Sequence, residues 1–176
     1  MVAVTKQLID SPRAAAIERR IVARWGPKLD VDGVFLRDAP GADVMEGRAP
    51  AELASMDLAP ARALALTRCA RETASGRARL DDPAADRRLL KIPEIGPWTV
   101  QCLGLYGRGD PDSLPAGDLG FVKLIGRLRG EGRRATVEEV EEFFAPYAPF
   151  RGLAGTFILT EYHGLVKRGP PLRHAA

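Results

Sequence analysis

The sequence predicts an all-α fold of about seven or eight helices. Apolar residues recur at helical spacing, as Ile17, Ile21 and Trp25 do near the N-terminus. Glycine and proline interrupt these apolar runs at the points where a helix would end. Strand patterns are scarce, since the segment VDGVFL at 31–36 is the one short candidate.

The first predicted helix covers about 12–25, with Pro12 in its first turn and the pair Gly26-Pro27 at its end. Residues 26–50 are rich in glycine, proline and aspartate, so we expect a long loop there. Asp118 precedes an amphipathic helix, and Thr136 followed by Glu139 is a capping-box pattern that opens another. The helices after the loop are predicted at about 50–57, 59–75, 82–90, 97–107, 119–128, 136–145 and 149–167.

Composition excludes several classes of protein. No run of about 18 apolar residues is present, so we expect no membrane span, and the N-terminus lacks a secretory signal. The two cysteines, Cys69 and Cys102, are too few for a disulfide framework or an iron–sulfur cluster. A cytoplasmic protein is therefore expected. The net charge of +3 favours a nucleic-acid partner only weakly, although basic residues gather at 62–91 and 123–134.

The most informative segment of the chain is 89–120, LLKIPEIGPWTVQCLGLYGRGDPDSLPAGDLG. Its first half predicts a helix, a tight turn at 93–96 and a second helix with Pro97 at its first position. Such a turn points backbone N–H groups outward beside a helix N-terminus, which makes a binding site for an anion such as a DNA phosphate. Because backbone donors read no base sequence, the turn suits an enzyme that searches any duplex for rare lesions.

This segment resembles the signature of the helix-hairpin-helix DNA glycosylase superfamily, and within it that of the 3-methyladenine (alkylpurine) DNA glycosylases. The matching patterns are I-P-x-I-G-P-W-T at 92–99 and L-P-A-G-D-L-G at 114–120. In that family the catalytic aspartate lies 20 residues after the tryptophan, and here that position is Asp118. The resemblance implies two helical lobes flanking a cleft. They are 1–110, with the helix-hairpin-helix at about 89–107, and 111–176, which opens with the aspartate.

The same resemblance implies roles for individual residues. Asp118 is implied to be catalytic, and Leu8 to be the wedge that fills the gap left by a flipped base. The implied base pocket contains Trp98, Cys102 and Leu159. The implied DNA contacts are made by Gln7, Leu8, Ile95, Gly96, Pro97 and Thr99. No cofactor or metal is expected apart from a monovalent cation held by the backbone carbonyls of Ile92 and Ile95.

The reaction explains why a carboxylate is needed. The target base must leave the duplex, and cleavage of its glycosidic bond passes through a sugar cation that a carboxylate stabilises by charge. Asp118 is either that carboxylate or a helix N-cap alone. An alkylated purine is positively charged and is attracted to aromatic faces, so Trp98 is either a pocket wall or a core residue. Core packing is expected for the other aromatics considered: Tyr106, Phe121, Phe157 and Tyr162.

We therefore expect a monofunctional DNA glycosylase that removes alkylated purines in base excision repair. Relatives that also cut the DNA backbone place a Schiff-base lysine at the position that Trp98 occupies here. The expected partner is double-stranded DNA with alkylated bases, bound by a monomer that is associated with the nucleoid.

Four positions depart from the family's pattern. Glu94 stands where the family usually has glycine, Cys102 and Leu159 where members have aromatic residues, and Asp10 where the wedge segment has serine. Two alternatives follow. One is a non-catalytic helix-hairpin-helix DNA-binding or damage-sensing protein, including an N-terminally shortened relative, since family members commonly carry a further N-terminal region. The other is a glycosylase for a deaminated or oxidised base.

Overall fold

The computed structural model describes residues 1–7, 11–130 and 132–168. Helices dominate these ranges, and a two-stranded antiparallel sheet is the only strand structure in them, so the predicted all-α class is confirmed. No helix within the same ranges is long and apolar enough to cross a bilayer. The chain forms two compact units, Met1–Val100 and Gln101–Ala176. The lobe boundary at 110/111 stays a prediction.

The first unit contains helix α2, Ser11–Trp25, whose inner face is apolar. Ala14, Ile17 and Ile21 are at most 1% exposed and recur at the spacing of one helix face. Helix α5, Pro60–Ala74, begins with proline in its first turn, as the sequence favours. The shorter helices of this unit are α1 Val2–Thr5, α3 Ala42–Glu46, α4 Pro50–Ala54 and α6 Asp86–Leu89, the last preceded by a 3₁₀ turn at Pro83–Ala85.

The prediction of a long loop at 26–50 is wrong, because the segment contains a β-hairpin and helix α3. Strands β1, Lys28–Val31, and β2, Val34–Arg37, pair in antiparallel register. They are joined by Asp32-Gly33, whose φ angles of 52° and 81° are those of the two-residue hairpin turn that Asp-Gly favours. The strand candidate at 31–36 therefore covers the end of one strand, the turn and most of the next strand.

The helix predicted at 97–107 has two parts. Helix α7 covers Pro97–Cys102, so Pro97 occupies the first helical position, as predicted. The chain then continues in π-helical turns over Leu103–Arg108 and ends at Gly109, which has a φ of 71°. Apolar spacing over so short a segment does not distinguish π-helical from α-helical turns, so the sequence did not reveal the change.

The second unit packs three further helices around an aromatic core. They are α8 Leu119–Arg129, α9 Val137–Phe144 and α10 Arg151–Arg168. Phe121 and Phe144 are at most 2% exposed, and their ring centroids lie 5.5 Å apart in an edge-to-face arrangement. Leu114, Leu124, Ile125 and Val140 complete this core. The core lies directly beneath the first turn of α8, so it positions the residue that precedes that helix.

The predicted capping box at the start of α9 is confirmed, and it also joins α9 to the end of α8. The Glu139 N–H donates to Thr136 Oγ1 at 3.2 Å, and the Thr136 N–H donates to Glu139 Oε2 at 2.7 Å. Arg133 and Arg129 bind the same carboxylate at 2.6 and 3.0 Å. The hydrogen bond from Arg133, then that from Thr136, and the charges of both arginines lower the pKa of Glu139 to about 2.

We expect Glu139→Gln to remove a pH-dependent part of the protein's stability. Because the pKa of Glu139 is lower in the folded than in the unfolded chain, its stabilising contribution is full above its ordinary pKa of 4.5 and is lost as the pH falls to about 2. Urea unfolding should be measured at several pH values from 7 to 2. The free energy of unfolding of the wild type should exceed that of the variant at pH 7, and this difference should decrease as the pH falls. The exposed neighbour Glu141, changed to glutamine, is the control. A difference in free energy of unfolding that stays constant over this pH range would contradict the lowered pKa of Glu139.

Candidate active site

The turn that precedes α7 is closed by its own backbone hydrogen bonds. The Ile95 N–H donates to the carbonyl oxygen of Ile92 at 3.0 Å, and the Thr99 N–H donates to that of Gly96 at 3.0 Å. Among the described residues, the Gly96 N–H makes no hydrogen bond. Of these three amides, the one at Gly96 is therefore the donor that remains for an external anion, beside the N-terminus of α7.

Gln7, a predicted DNA contact, is bound to this turn. Its Nε2 donates to the carbonyl oxygen of Glu94 at 2.7 Å and to Thr99 Oγ1 at 2.8 Å. Its Oε1 is buried and has no hydrogen-bond partner among the described residues. The predicted wedge, Leu8, lies outside the described residues, as do Ile9 and Asp10. Gln7, which precedes the predicted wedge, is thus hydrogen-bonded to a turn that lies 87 residues further along the chain.

Glu94, where the family usually has glycine, has a left-handed backbone. Its φ is 73°, and its side chain is exposed. A residue with a Cβ is strained in this conformation by about 1–2 kcal/mol, whereas glycine is not. Glu94 also places a negative charge on a turn whose free amide suits a phosphate, and like charges repel.

We expect Glu94→Gly to raise the free energy of unfolding by about 1 kcal/mol, because the left-handed strain is relieved. The variant should also bind a duplex more tightly at low salt, because a carboxylate beside the phosphate is gone. Glu94→Gln separates the two effects, since it removes the charge and keeps the Cβ. Thermal unfolding and fluorescence titration with duplex DNA measure both quantities. If neither variant binds the duplex better than the wild type, the charge of Glu94 plays no part.

Asp118 is the N-cap of α8. Its φ and ψ of −64° and 135° are those of a capping residue, and its Oδ1 accepts a hydrogen bond from the Gly120 N–H at 2.7 Å. The carboxylate is half-buried. The capping role is therefore confirmed, and it is compatible with the catalytic one. The bond to Gly120 fixes the direction of the carboxylate, and a fixed direction is what a group needs to stabilise a developing charge.

Leu159, predicted as a pocket residue, lies beside Asp118. A Cβ built on Gly120 would lie 2.9 Å from Leu159 Cδ1 and 3.1 Å from Asp118 Oδ1. Helix α10 therefore contacts the first turn of α8 at the catalytic candidate. Cys102, also a predicted pocket residue, lies at the end of α7 and is 8% exposed. Trp98 is half-buried in the first unit, and its place in the pocket stays a prediction.

The loop that leads to Asp118, residues 109–118, is fastened by the start of α10. The guanidinium of Arg151 donates two hydrogen bonds to the carboxylate of Asp112. Nε donates to Oδ1 at 2.8 Å, and Nη2 donates to Oδ2 at 2.5 Å. The Arg151 N–H also donates to Asp112 Oδ1 at 3.1 Å, and the Leu153 N–H donates to the carbonyl oxygen of Pro111 at 2.9 Å. The Arg151 guanidinium lowers the pKa of Asp112. The loop is therefore held by several polar contacts within the second unit.

Two aromatic residues lie elsewhere than predicted. Phe121 is a core residue and Tyr162 packs against the core, as expected. Tyr106 and Phe157 are 67% and 66% exposed, so the prediction that they pack in the core is wrong. The sequence holds a signal for Tyr106, because Gly107 and Arg108 follow it where a buried helix face would continue with apolar residues.

Within the described ranges, no group of three or more histidine, cysteine, aspartate and glutamate side chains could hold a metal ion.

The sequence is similar to two curated DNA-repair proteins, although no family model matches it. It is 29% identical over 177 residues to a probable bifunctional transcriptional activator/DNA repair enzyme AlkA of Mycobacterium tuberculosis, covering 96% of this chain and 34% of that protein. It is 25% identical over 162 residues to a DNA-3-methyladenine glycosylase of Bacillus subtilis, covering 89% of this chain and 53% of that protein. The chain thus spans about a third to a half of the length of these relatives.

The fold is similar to that of a solved glycosylase. The structure of the 3-methyladenine DNA glycosylase Mag1 of Schizosaccharomyces pombe, in complex with abasic DNA, matches with a TM-score of 0.73 and 23% identity. The match covers 93% of this chain and 78% of that chain. The fold is therefore similar to that of this 3-methyladenine DNA glycosylase. Together with the similar sequences, it confirms the resemblance that residues 89–120 predict.

Proposed function

We propose that the protein is a monofunctional DNA glycosylase that hydrolyses the N-glycosidic bond of alkylated purines in base excision repair. The observation that carries the proposal is the setting of Asp118. It is a half-buried carboxylate, oriented by Gly120 and adjacent to Leu159, and it lies 20 residues after Trp98, as in the family's signature.

In the proposed reaction, the damaged nucleotide leaves the duplex and its sugar lies against Asp118. The bond between C1′ and the purine nitrogen breaks, and the base departs with the bonding electrons, which neutralise its positive charge. The carboxylate stabilises the sugar cation that remains. A water oxygen then bonds to C1′, and its proton passes to Asp118 or to solvent. An alkylated purine leaves as a neutral base, so the reaction needs no strong general acid.

The proposed partner is double-stranded DNA with alkylated bases, bound by a monomer that acts on the nucleoid in the cytoplasm. The free Gly96 N–H supports a phosphate contact, and Ile95, Pro97 and Thr99 would hold the turn around it. Gln7 would connect this contact to the wedge at Leu8.

A monovalent cation on the carbonyls of Ile92 and Ile95 belongs to the same proposal. The Ile92 carbonyl accepts one hydrogen bond, from the Ile95 N–H, and a carbonyl oxygen has a second lone pair that a cation can use. A cation at this place would attract the phosphate that the turn binds. This chain's own contribution is the pair of backbone oxygens, which the closed turn holds in place.

The test of the proposed function is incubation with duplex DNA treated with a methylating agent. We expect release of free 3-methyladenine or 7-methylguanine, detected by chromatography, and abasic sites that alkali cleaves afterwards. Borohydride added during the reaction should trap no covalent adduct, because Trp98 stands where a Schiff-base lysine would be. Tight binding without release of any base would instead favour the damage-sensing alternative, for which the carboxylate of Glu94 on the turn is the supporting observation.

A further inference from the structure

The β-hairpin of the first unit has an apolar face that the described residues leave exposed. Side chains alternate between the two faces of a sheet, so Leu29 and Val31 of β1 share one face with their cross-strand partners Leu36 and Val34. These four aliphatic side chains are 43–59% exposed. A two-stranded hairpin is marginally stable on its own, and further strands with an apolar face stabilise it. The addition of strands would therefore stabilise this hairpin.

The outer edge of β1 carries backbone groups that point away from β2. In an antiparallel pair, facing residues alternate between those that exchange backbone hydrogen bonds and those that do not. The Asp38 N–H donates to the carbonyl oxygen of Pro27 at 3.1 Å, so the odd-numbered residues of β1 are the bonded ones. The N–H and C=O groups of Lys28 and Asp30 therefore point outward, and in the part of the chain that the structure describes they bond to no other element.

The same two residues carry opposite charges, on the sheet face opposite the apolar one. Lys28 is exposed and forms no ion pair within the described ranges. Asp30 is exposed, and its Oδ1 accepts a hydrogen bond from the Gly33 N–H at 2.9 Å, which orients the carboxylate and leaves lone pairs for a cation. Strand β2 has a single charged residue, Arg37, whose guanidinium donates to the carbonyl oxygen of Gly26 at 3.2 Å. An edge with both signs of charge is therefore particular to β1.

The β1 edge is complementary to itself. When two copies of β1 run antiparallel about a two-fold axis at Leu29, Lys28 of each copy lies opposite Asp30 of the other. Both residues have outward backbone groups, so the same register pairs each of their N–H groups with a carbonyl oxygen of the second copy. Leu29 then faces Leu29 of the second copy on the apolar face. Opposite charges that face each other across two strands are stabilising.

We propose that the protein, when free of DNA, associates with a second copy of itself through the outer edge of β1. The two hairpins join into one continuous sheet, with an ion pair between Lys28 and Asp30 on each side of the axis. The contact involves one short strand of each copy and is small beside the ~1,200 Å² of a stable interface, so the association is weak and depends on concentration. It does not depend on the proposed function, in which a single copy binds the duplex.

Sedimentation equilibrium of the 176-residue chain measures this association, at concentrations from about 10 μM to about 1 mM. We expect a monomer–dimer equilibrium whose dissociation constant rises with salt, because exposed ion pairs are screened. Lys28→Glu should raise the dissociation constant by about 10–100-fold, because both ion pairs become pairs of like charge. Asp30→Lys should have an effect of the same size for the same reason.

An equimolar mixture of the two variants tests the contact directly. In a mixed dimer, positions 28 and 30 again carry opposite charges on both sides of the axis, so the mixture should associate about as tightly as the wild type. Arg37→Glu is the matched control, because it changes the net charge as Lys28→Glu does and lies on the same face, but on β2. It should leave the dissociation constant within about twofold.

Amide hydrogen exchange of the wild type, followed by NMR at low and high protein concentration, locates the contact without any substitution. The amides of Lys28 and Asp30 should exchange more slowly at high concentration, whereas those of Phe35 and Arg37 on the other edge should not change. The proposal is overturned if the wild type stays monomeric over the whole range or if the mixture associates no better than each variant alone. It is overturned equally if Arg37→Glu or the amides of β2 respond instead.

Discussion

Asp118→Asn is expected to lower the single-turnover rate of base release from methylated duplex by about 10²–10³-fold, which is the effect of removing one electrostatic stabiliser from an active site. Asparagine has nearly the same shape and caps helices as well as aspartate does. The bond from the Gly120 N–H, 2.7 Å in the native protein, should therefore persist in the variant. What is lost is the negative charge that, in the proposed reaction, stabilises the sugar cation.

Two measurements isolate this charge effect. The thermal unfolding temperature and the affinity for undamaged duplex should match those of the wild type, because the cap and the turn at Gly96 are unchanged. Asp118→Ala is the contrasting variant, since it removes the cap as well and should cost about 1 kcal/mol of stability. If Asp118→Asn keeps the wild-type rate, Asp118 is a cap alone and the catalytic assignment is wrong.

Gly152→Ala is expected to have the second largest effect. A Cβ at this position would lie 2.2 Å from the carbonyl oxygen of Ser113 and 3.0 Å from Leu105 Cδ1. The backbone oxygen of Ser113 cannot lie so close to a carbon atom, so the loop at 109–118 or the start of α10 must move. Overpacking of this kind costs about 1–3 kcal/mol. Since the loop leads to Asp118, a shift of about 1 Å there should also lower the rate of base release by about 100-fold.

The matched control is Gly164→Ala in the same helix, where an added Cβ meets no atom within 4 Å. That substitution should be neutral or stabilising by up to about 1 kcal/mol, because alanine favours helix more than glycine does. Differential scanning calorimetry and single-turnover release together test the pair. Equal stability and equal rates for the two variants would contradict the close approach of α10 to the loop.

Features that depend on neighbouring residues could be predicted from the sequence. The capping box of Thr136 and Glu139, the capping role of Asp118 and the place of Pro97 each follow from a side chain and the backbone within a few residues of it. The hairpin at 28–37 carried a local signal as well. The Asp32-Gly33 pair between apolar residues favours a two-residue turn, and the abundance of glycine, proline and aspartate around it obscured that signal.

Features that depend on distant residues could not be predicted. Gln7 and Glu94 are 87 positions apart, so no spacing indicates that the amide of one binds the carbonyl of the other. The setting of Asp118 depends on Leu159, which lies on the last described helix. The family resemblance supplied the identity of Asp118, whereas its surroundings required coordinates.

The contact between Arg151 and Asp112, 39 residues apart, has a consequence for the order in which the protein matures on the ribosome. The segment with Asp118 is translated before the helix that secures it. A nascent chain that has emerged beyond residue 118 but not beyond residue 151 carries Asp118 on an unsecured loop. The second unit therefore acquires its final geometry only after its last described helix has been made and folds back onto residues that precede it.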